Sequence, residues 1–220
     1  LGLLTAVIVC IWKPLPIQPD FESYNQLGWN LAQGKGFVFL DRGITALDQR
    51  VITFDRFDTH YNPYLFRTPG YPLYLAVIYS LAGHHPNLVY VTHILLHLLT
   101  SCLIYSLSLR FFSRQVALLS TALTILFPLT VIYIPTVFPE ILSTFLVILS
   151  VWIMIQAVEK NTPWLAIFTG AIMAYSALVR PVFVLFPIFY FACIWLSNRR
   201  GKSLFKLFVC LHVGFLLVLS

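Results

Sequence analysis

Residues 88–109 read LVYVTHILLHLLTSCLIYSLSL, a run without a formal charge that is closed by Arg110 and Arg114. A helix needs about 20 consecutive apolar residues to cross the hydrocarbon of a bilayer, and this run supplies them. Working outward towards the C-terminus, the apolar runs Val116–Ile134, Ile141–Val158, Trp164–Val179, Val182–Leu196 and Leu204–Leu219 follow with tight connections. Several are short for a span, but flanking aromatics and prolines let them extend into the loops. The pattern predicts helical hairpins threaded back and forth, a bundle of about six spans over residues 88–220.

Composition agrees. The 220 residues are 59% hydrophobic and 10% charged, with a mean hydropathy of +0.85, whereas soluble domains carry about 25% charged residues. A soluble fold of this size has nowhere to hide so much apolar surface. The chain therefore reads as an all-α polytopic membrane protein. Its net charge of +6 is not a nucleic-acid footprint, because the basic residues are scattered at helix ends and build no basic, aromatic-interleaved face.

Towards the N-terminus the character changes. Thr68–Ala82 (TPGYPLYLAVIYSLA) is apolar but short, rich in Tyr and bounded by Pro and Gly, which predicts an interfacial or re-entrant helix. Before it lies a polar loop, Pro14–Arg67, holding six of the chain's eight acidic residues: Asp20, Glu22, Asp41, Asp48, Asp55 and Asp58. Loops this long are uncommon unless functional or disordered. Trp, Tyr and Phe interleave its charges, so it is expected to form a packed, partly helical cap spanning residues 14–87 together with the interfacial segment. Leu1–Ile11, followed by Trp12 and Lys13, reads as the outer half of a first span over residues 1–13. The chain opens on Leu1 and closes on Ser220 within or beside apolar runs, so a fragment cut in two membrane segments is expected.

If the spans alternate, Arg110, Arg114, Lys160, Arg199, Arg200, Lys202 and Lys206 fall on one side, and the opposite short loops carry only Glu140 and Arg180. The positive-inside rule makes the basic side cytoplasmic. The acidic loop is then external, on the same face as 134–140 and the Arg180–Pro181 turn, and three segments converge on one external site.

Asp20 stands just beyond the first span, and Tyr24, Gly28 and Leu31 follow it at helical spacing. It serves either as a helix-capping acid or as a carboxylate at the membrane face that takes a proton or holds a metal. Glu22, two positions on, lies on a different helix face, so a paired-carboxylate site needs it non-helical. In Arg67-Thr68-Pro69-Gly70-Tyr71-Pro72 the prolines and glycine fix the backbone, placing a guanidinium and a phenol at headgroup height. Arg67 there is either a snorkelling anchor or a bidentate phosphate ligand. Glu140 and Arg180 are costly inside a membrane and face either a polar cavity or the headgroup zone.

Other signals fail. His93 and His97 stand at i and i+4, but Ile94 occupies the place where a zinc protease needs Glu, so the pair is expected to be satisfied between helices. Gly201-Lys202-Ser203 lacks the earlier glycine of a phosphate loop, since position 196 is Leu. Cys10, Cys102, Cys193 and Cys210 lie in apolar runs without CxxC spacing and read as small buried residues.

Taken in succession, Asp20-x-x-x-Tyr24, Asn30-Leu31-Ala32-Gln33-Gly34-Lys35-Gly36-Phe37, Arg67-Thr68-Pro69-Gly70-Tyr71-Pro72-Leu73, Gly83, Glu140, Gly170 and Arg180-Pro181 resemble the GT-C membrane glycosyltransferases. The bacterial branch similar to dolichyl-phosphate-mannose protein mannosyltransferases and lipid A aminoarabinose transferases is the nearest in pattern. The resemblance implies a GT-C-like helical bundle with a large first external loop carrying juxtamembrane helices, in a multi-pass inner membrane protein. It implies inverting transfer of a sugar from a polyprenyl-phosphate donor to a lipid or protein acceptor on the external side of the membrane, with Asp20 as the acidic catalytic residue. Glu22 and Glu140 are the candidates for a second acid: many relatives carry two adjacent acids where this chain has Asp20-Phe21-Glu22, and Glu140, opening a later span, is placed to bind a sugar hydroxyl or a metal. Tyr24, Arg67, Tyr71 and Arg180 are expected to bind the donor phosphate. The expected partners are membrane lipid, the lipid-linked sugar and a glycolipid or protein acceptor, with no nucleic acid; a divalent metal is left open. The alternative from another class is a transporter, flippase or non-catalytic subunit of an envelope assembly complex.

Overall fold

A computed structural model describes residues 19–39, 62–63, 67–190 and 202–220. The first apolar segment, most of the loop between 40 and 66, the end of the expected Val182–Leu196 span, Cys10, Cys193, Arg199 and Arg200 lie outside the described residues. Regular structure is helical apart from a two-residue antiparallel pair, β1 (Val38–Phe39) with β2 (Asn62–Pro63). The helices include α1 (Pro19–Ala32), α2 (Gly70–Ala82), α3 (Pro86–Phe111), α4 (Arg114–Leu126), α5 (Pro128–Tyr133), α6 (Glu140–Glu159), α7 (Pro163–Val179) and α8 (Lys202–Leu219). A 3-10 turn, Pro181–Leu185, follows α7.

Proline punctuates the chain. It opens α3, α5, α7 and the 3-10 turn within their first two positions, where its missing N–H costs no hydrogen bond and its fixed φ suits the helix. Gly83 ends α2 at φ 78°, its N–H bonded to the Tyr79 carbonyl at 2.9 Å. One expectation needs correction: Val116–Ile134 is not one continuous helix. Phe127 is extended (φ −62°, ψ 115°) and Pro128 starts a new short helix, because a proline forces the residue before it out of the helical region. A hydropathy window reads across that break.

Among the described residues two helices, α3 with 26 residues and α6 with 20, are long and apolar enough to cross a membrane; the other apolar helices there are shorter. The exposure pattern of α3 is that of a helix whose solvent is oil. Its polar side chains His93, His97, Thr100 and Ser101 are buried, while Val91, Leu95 and Leu99 remain 51%, 54% and 52% exposed. In water this inversion costs free energy on both faces. In hydrocarbon the outward leucines are at no disadvantage, and, although His97 Nε2 is left without a hydrogen-bond partner among the described residues, Thr100 and Ser101 find partners in the Leu96 and His97 carbonyls. His93 does so through both ring nitrogens. Nδ1 meets the Ile134 carbonyl at 3.2 Å and Nε2 meets the Tyr71 hydroxyl at 3.3 Å. A carbonyl only accepts, so Nδ1 carries the proton and Nε2 accepts from Tyr71.

Small residues bring helices into backbone contact. A Cβ on Gly170 of α7 would collide with the Leu211 carbonyl of α8, and one on Gly214 of α8 with the Ile167 carbonyl of α7. Two glycines thus face each other's helix at one crossing, the device by which membrane helices gain dispersion contact. Around it Met154, Ala166, Met173, Leu207 and Phe215 form one buried cluster. A second cluster joins α1, α2, α6 and α7 through Tyr24, Tyr71, Leu75, Leu142 and Val179. This second cluster carries the site.

Candidate active site

Pro181 decides where Arg180 goes. The residue before a proline is driven extended, and Arg180 is so (φ −144°, ψ 118°), its N–H still held by the Ser176 carbonyl at 2.8 Å. The guanidinium therefore leaves the end of α7 rather than continuing along its side. The Thr68–Gly70 segment is docked onto that same end. Thr68 Oγ1 donates to the Val179 carbonyl at 3.1 Å, and the Tyr175 hydroxyl donates to the Gly70 carbonyl at 2.9 Å. Only glycine fits at position 70, since a Cβ would stand 2.5 Å from the Leu178 and Val179 backbone. Arg67 is thereby carried to Arg180 across more than a hundred residues of sequence.

The third component arrives on α1. That helix lies against α2: the Tyr79 hydroxyl donates to Asn25 Oδ1 at 2.6 Å, and Trp29 stacks on His84 with ring centroids 5.0 Å apart. One turn earlier, Tyr24 meets Tyr71 edge to face at 5.2 Å. Asp20 precedes Tyr24 by four residues, so it shares that face and forms an ion pair with Arg67. The Arg67 guanidinium also lies over the Tyr24 ring, 4.9 Å from its centroid, a cation–π arrangement.

Together these elements enclose a pocket of about 380 Å³ lined by Tyr24, Arg67, Thr68, Val179, Arg180, Pro181 and Val182. Its size falls within the range of small-molecule sites. Two guanidiniums look into it, and each also holds a carboxylate. Arg67 holds Asp20, and Arg180 Nη2 donates to Glu140 Oε1 at 2.7 Å. Burial pushes the Tyr24 hydroxyl above the ordinary tyrosine value; Arg67 works against that rise, while Glu140 and Asp20 add to it. The hydroxyl is therefore a neutral hydrogen-bond donor at physiological pH.

Of the residues singled out from sequence, Asp20, Tyr24, Arg67, Glu140 and Arg180 meet at this end of the helices. Asp20 is the most open of the charged groups, 52% exposed against 23% for Glu140. Tyr71 stands behind the pocket, fully buried, with its hydroxyl spent on His93. Glu22 is exposed in the first turn of α1, on a different side from Asp20, with no ion-pair partner among the described residues. Among the described residues no group of three His, Cys, Asp or Glu side chains is placed to hold a metal ion. Sequence alone gives no sign of the part Thr68 plays, since a threonine before a proline reads as a local turn residue, whereas its bond to Val179 spans 111 residues of sequence.

The arrangement suits an anionic group flanked by cations, with a carboxylate at the rim able to accept a proton. No curated protein and no solved structure matches the chain. A family model described as dolichyl-phosphate-mannose-protein mannosyltransferase matches residues 66–220. That stretch contains Arg67, Thr68, Glu140 and Arg180, but not Asp20 or Tyr24, whose place in the site rests on their contacts with Arg67. The matched region covers well over half of the chain, which belongs to the dolichyl-phosphate-mannose-protein mannosyltransferase family.

Proposed function

We propose that the protein transfers a sugar, with inversion, from a polyprenyl-phosphate donor to a lipid or protein acceptor on the external side of the membrane. The family supports a membrane glycosyltransferase of mannosyltransferase type acting on a lipid-linked sugar. The observation that carries the finer reading is one pocket faced by both Arg67 and Arg180, with the Asp20 carboxylate on Arg67. Guanidiniums suit the charge that builds on a departing phosphate.

In this reading the donor phosphate enters between Arg67 and Arg180, and Tyr24 and Thr68 complete its surroundings. The phosphate draws Arg67 towards the pocket and releases Asp20. The acceptor hydroxyl oxygen then attacks the anomeric carbon, the bond from that carbon to the phosphate oxygen breaks, and Asp20 takes the hydroxyl proton. Polyprenyl phosphate leaves. Catalysis is assigned to a cap spanning residues 14–87 and the helix ends beneath it, with residues 1–13 and 88–220 supplying the spans of a GT-C-like, multi-pass inner-membrane bundle. Arg110, Arg114 and Lys160, at the helix ends remote from the pocket, support a cytoplasmic assignment for that side.

The test is transfer of radiolabelled sugar from a panel of polyprenyl-phosphate donors into a membrane extract, comparing the parent with Asp20→Asn. Loss of a general base costs about 10²- to 10⁴-fold in rate. Labelled product from the parent and a loss of that size in the variant is the expected result. Full activity in the variant removes Asp20 from the chemistry, and an inactive parent across the whole panel sinks the donor assignment.

A further inference from the structure

Each arginine of the pocket carries its own carboxylate, so Arg67, Arg180, Asp20 and Glu140 sum to zero formal charge. The proposed reaction, on which the present inference rests, changes the charge of its lipid. A sugar-phosphate donor is a phosphodiester with one negative charge; the lipid phosphate that leaves is a monoester, whose second ionisation near pH 6 brings it towards two. Two unopposed arginines would hold the product more tightly than the donor. That would trap the enzyme after each turnover.

We propose that Glu140 is a counter-ion that sets the pocket's preference between phosphodiester and phosphomonoester, rather than the second acid of the reaction. Its geometry fits this role better than proton transfer. Glu140 Oε1 is engaged by Arg180 at 2.7 Å, and Oε2 is buried without a hydrogen-bond partner among the described residues. Neither oxygen lines the pocket. With one oxygen on Arg180 and the other buried, this carboxylate is poorly placed to take a proton from a group bound in that pocket, yet its field acts on what binds beside it. The same field already reaches Tyr24 in the pocket wall. An unsatisfied oxygen away from water is screened little, so its repulsion of a second phosphate charge is stronger than that of the open Asp20 carboxylate.

Glu140 is therefore a specificity-determining residue acting through charge. The Glu140→Gln side chain keeps the size and an oxygen acceptor for Arg180 but removes the negative charge. In the full chain purified in detergent at pH 8, binding of dodecyl phosphate, a monoester, is compared with binding of its methyl ester, a diester. The parent is expected to bind the two within about threefold of each other, and Glu140→Gln to tighten the monoester by roughly tenfold while moving the diester much less, consistent with the strength of close charge coupling. The double variant Glu140→Gln/Arg180→Ala abolishes the difference, and circular dichroism and thermal melting of both variants identify misfolding.

Equal weakening of both ligands overturns the proposal, because Glu140 then only steadies the Arg180 side chain. Unchanged affinities overturn it as well. If Glu140→Gln fails to fold, Glu140→Asp, which keeps the charge, is expected to retain the parent's ratio of affinities; a shifted ratio counts against the inference. Binding of neither ester by the folded parent removes the phosphate pocket itself, whereas binding without any sugar transfer leaves the charge preference standing and overturns only the catalytic reading.

Discussion

The two ends of α6 are both closed by an ion pair, and they are built differently. At its first residue Glu140 takes Arg180 from the end of α7; at its last, Glu159 accepts from Arg110 of α3 at 2.8 Å. On a helix of 20 residues the two ends stand about 30 Å apart. The first pair adjoins a pocket, shares that end with a second pair, and is backed by the hydrogen bonds of Thr68 and Tyr175 and by the packed rings of Tyr24 and Tyr71. The second pair lies on the surface, with the exposed Lys160 next in sequence, and Glu159 is 51% exposed. An ion pair says little by itself. What distinguishes the pocket end is that its charges are held by groups that are themselves held.

That contrast yields its largest expected effect in the arginines. Replacing Arg67 or Arg180 with Ala is expected to lower kcat/KM for sugar transfer by 10²-fold or more, as when a preorganised donor to developing charge is lost. Arg110→Ala is expected to leave transfer unchanged. Kinetics on membranes matched for protein content decide this, and a similar loss at all three positions breaks the distinction between the ends.

Next in size is Gly70→Val. Its side chain has no room against the backbone at Leu178 and Val179, 2.5 Å from the first added atom. Overpacking of this kind costs about 1–3 kcal/mol, and here it lifts the segment that carries Arg67 away from Arg180. The variant is expected to lose both thermal stability and activity. Gly214→Val, at the α7–α8 crossing, should lose comparable stability, with activity following the fraction folded. If Gly70→Val melts like the parent and transfers sugar normally, the docking of that segment does not position Arg67.

Much of this architecture was legible in residue order. The charge-free run ending at Arg110 became α3, the Pro-Gly boundary became the start of α2, and the prolines at 86, 163 and 181 mark element starts. Hydropathy averaged across Pro128, so the break there was hidden although the residue that causes it was in plain view. The convergence of the loop with Glu140 and Arg180 followed from alternating the spans, but the pairing of particular acids and arginines did not. Asp20 and Arg67 are 47 residues apart and Glu140 and Arg180 are 40, and no local spacing encodes such contacts. Tyr71 shows the same limit. Proline and glycine around it fixed the backbone, but only packing against His93 and Tyr24 turns its ring inward.

The smallest expected effect belongs to the remote pair. Arg110 and Glu159 are both partly in solvent, 26% and 51% exposed, and an exposed ion pair contributes at most about 1 kcal/mol. Glu159→Gln is therefore expected to shift the melting temperature slightly and transfer not at all. Salt separates the two ends more sharply. Raising ionic strength shortens the screening length to a few ångström, which weakens the Arg110–Glu159 attraction but reaches the half-buried Glu140–Arg180 pair less. A melting-temperature difference between parent and Glu159→Gln that vanishes in about 1 M salt, beside a Glu140→Gln difference that persists, supports a surface clasp at one end and a sheltered charge at the other. If salt erases both differences equally, Glu140 is as open to solvent as Glu159, and the sheltered carboxylate oxygen that sets the pocket end apart is not sheltered.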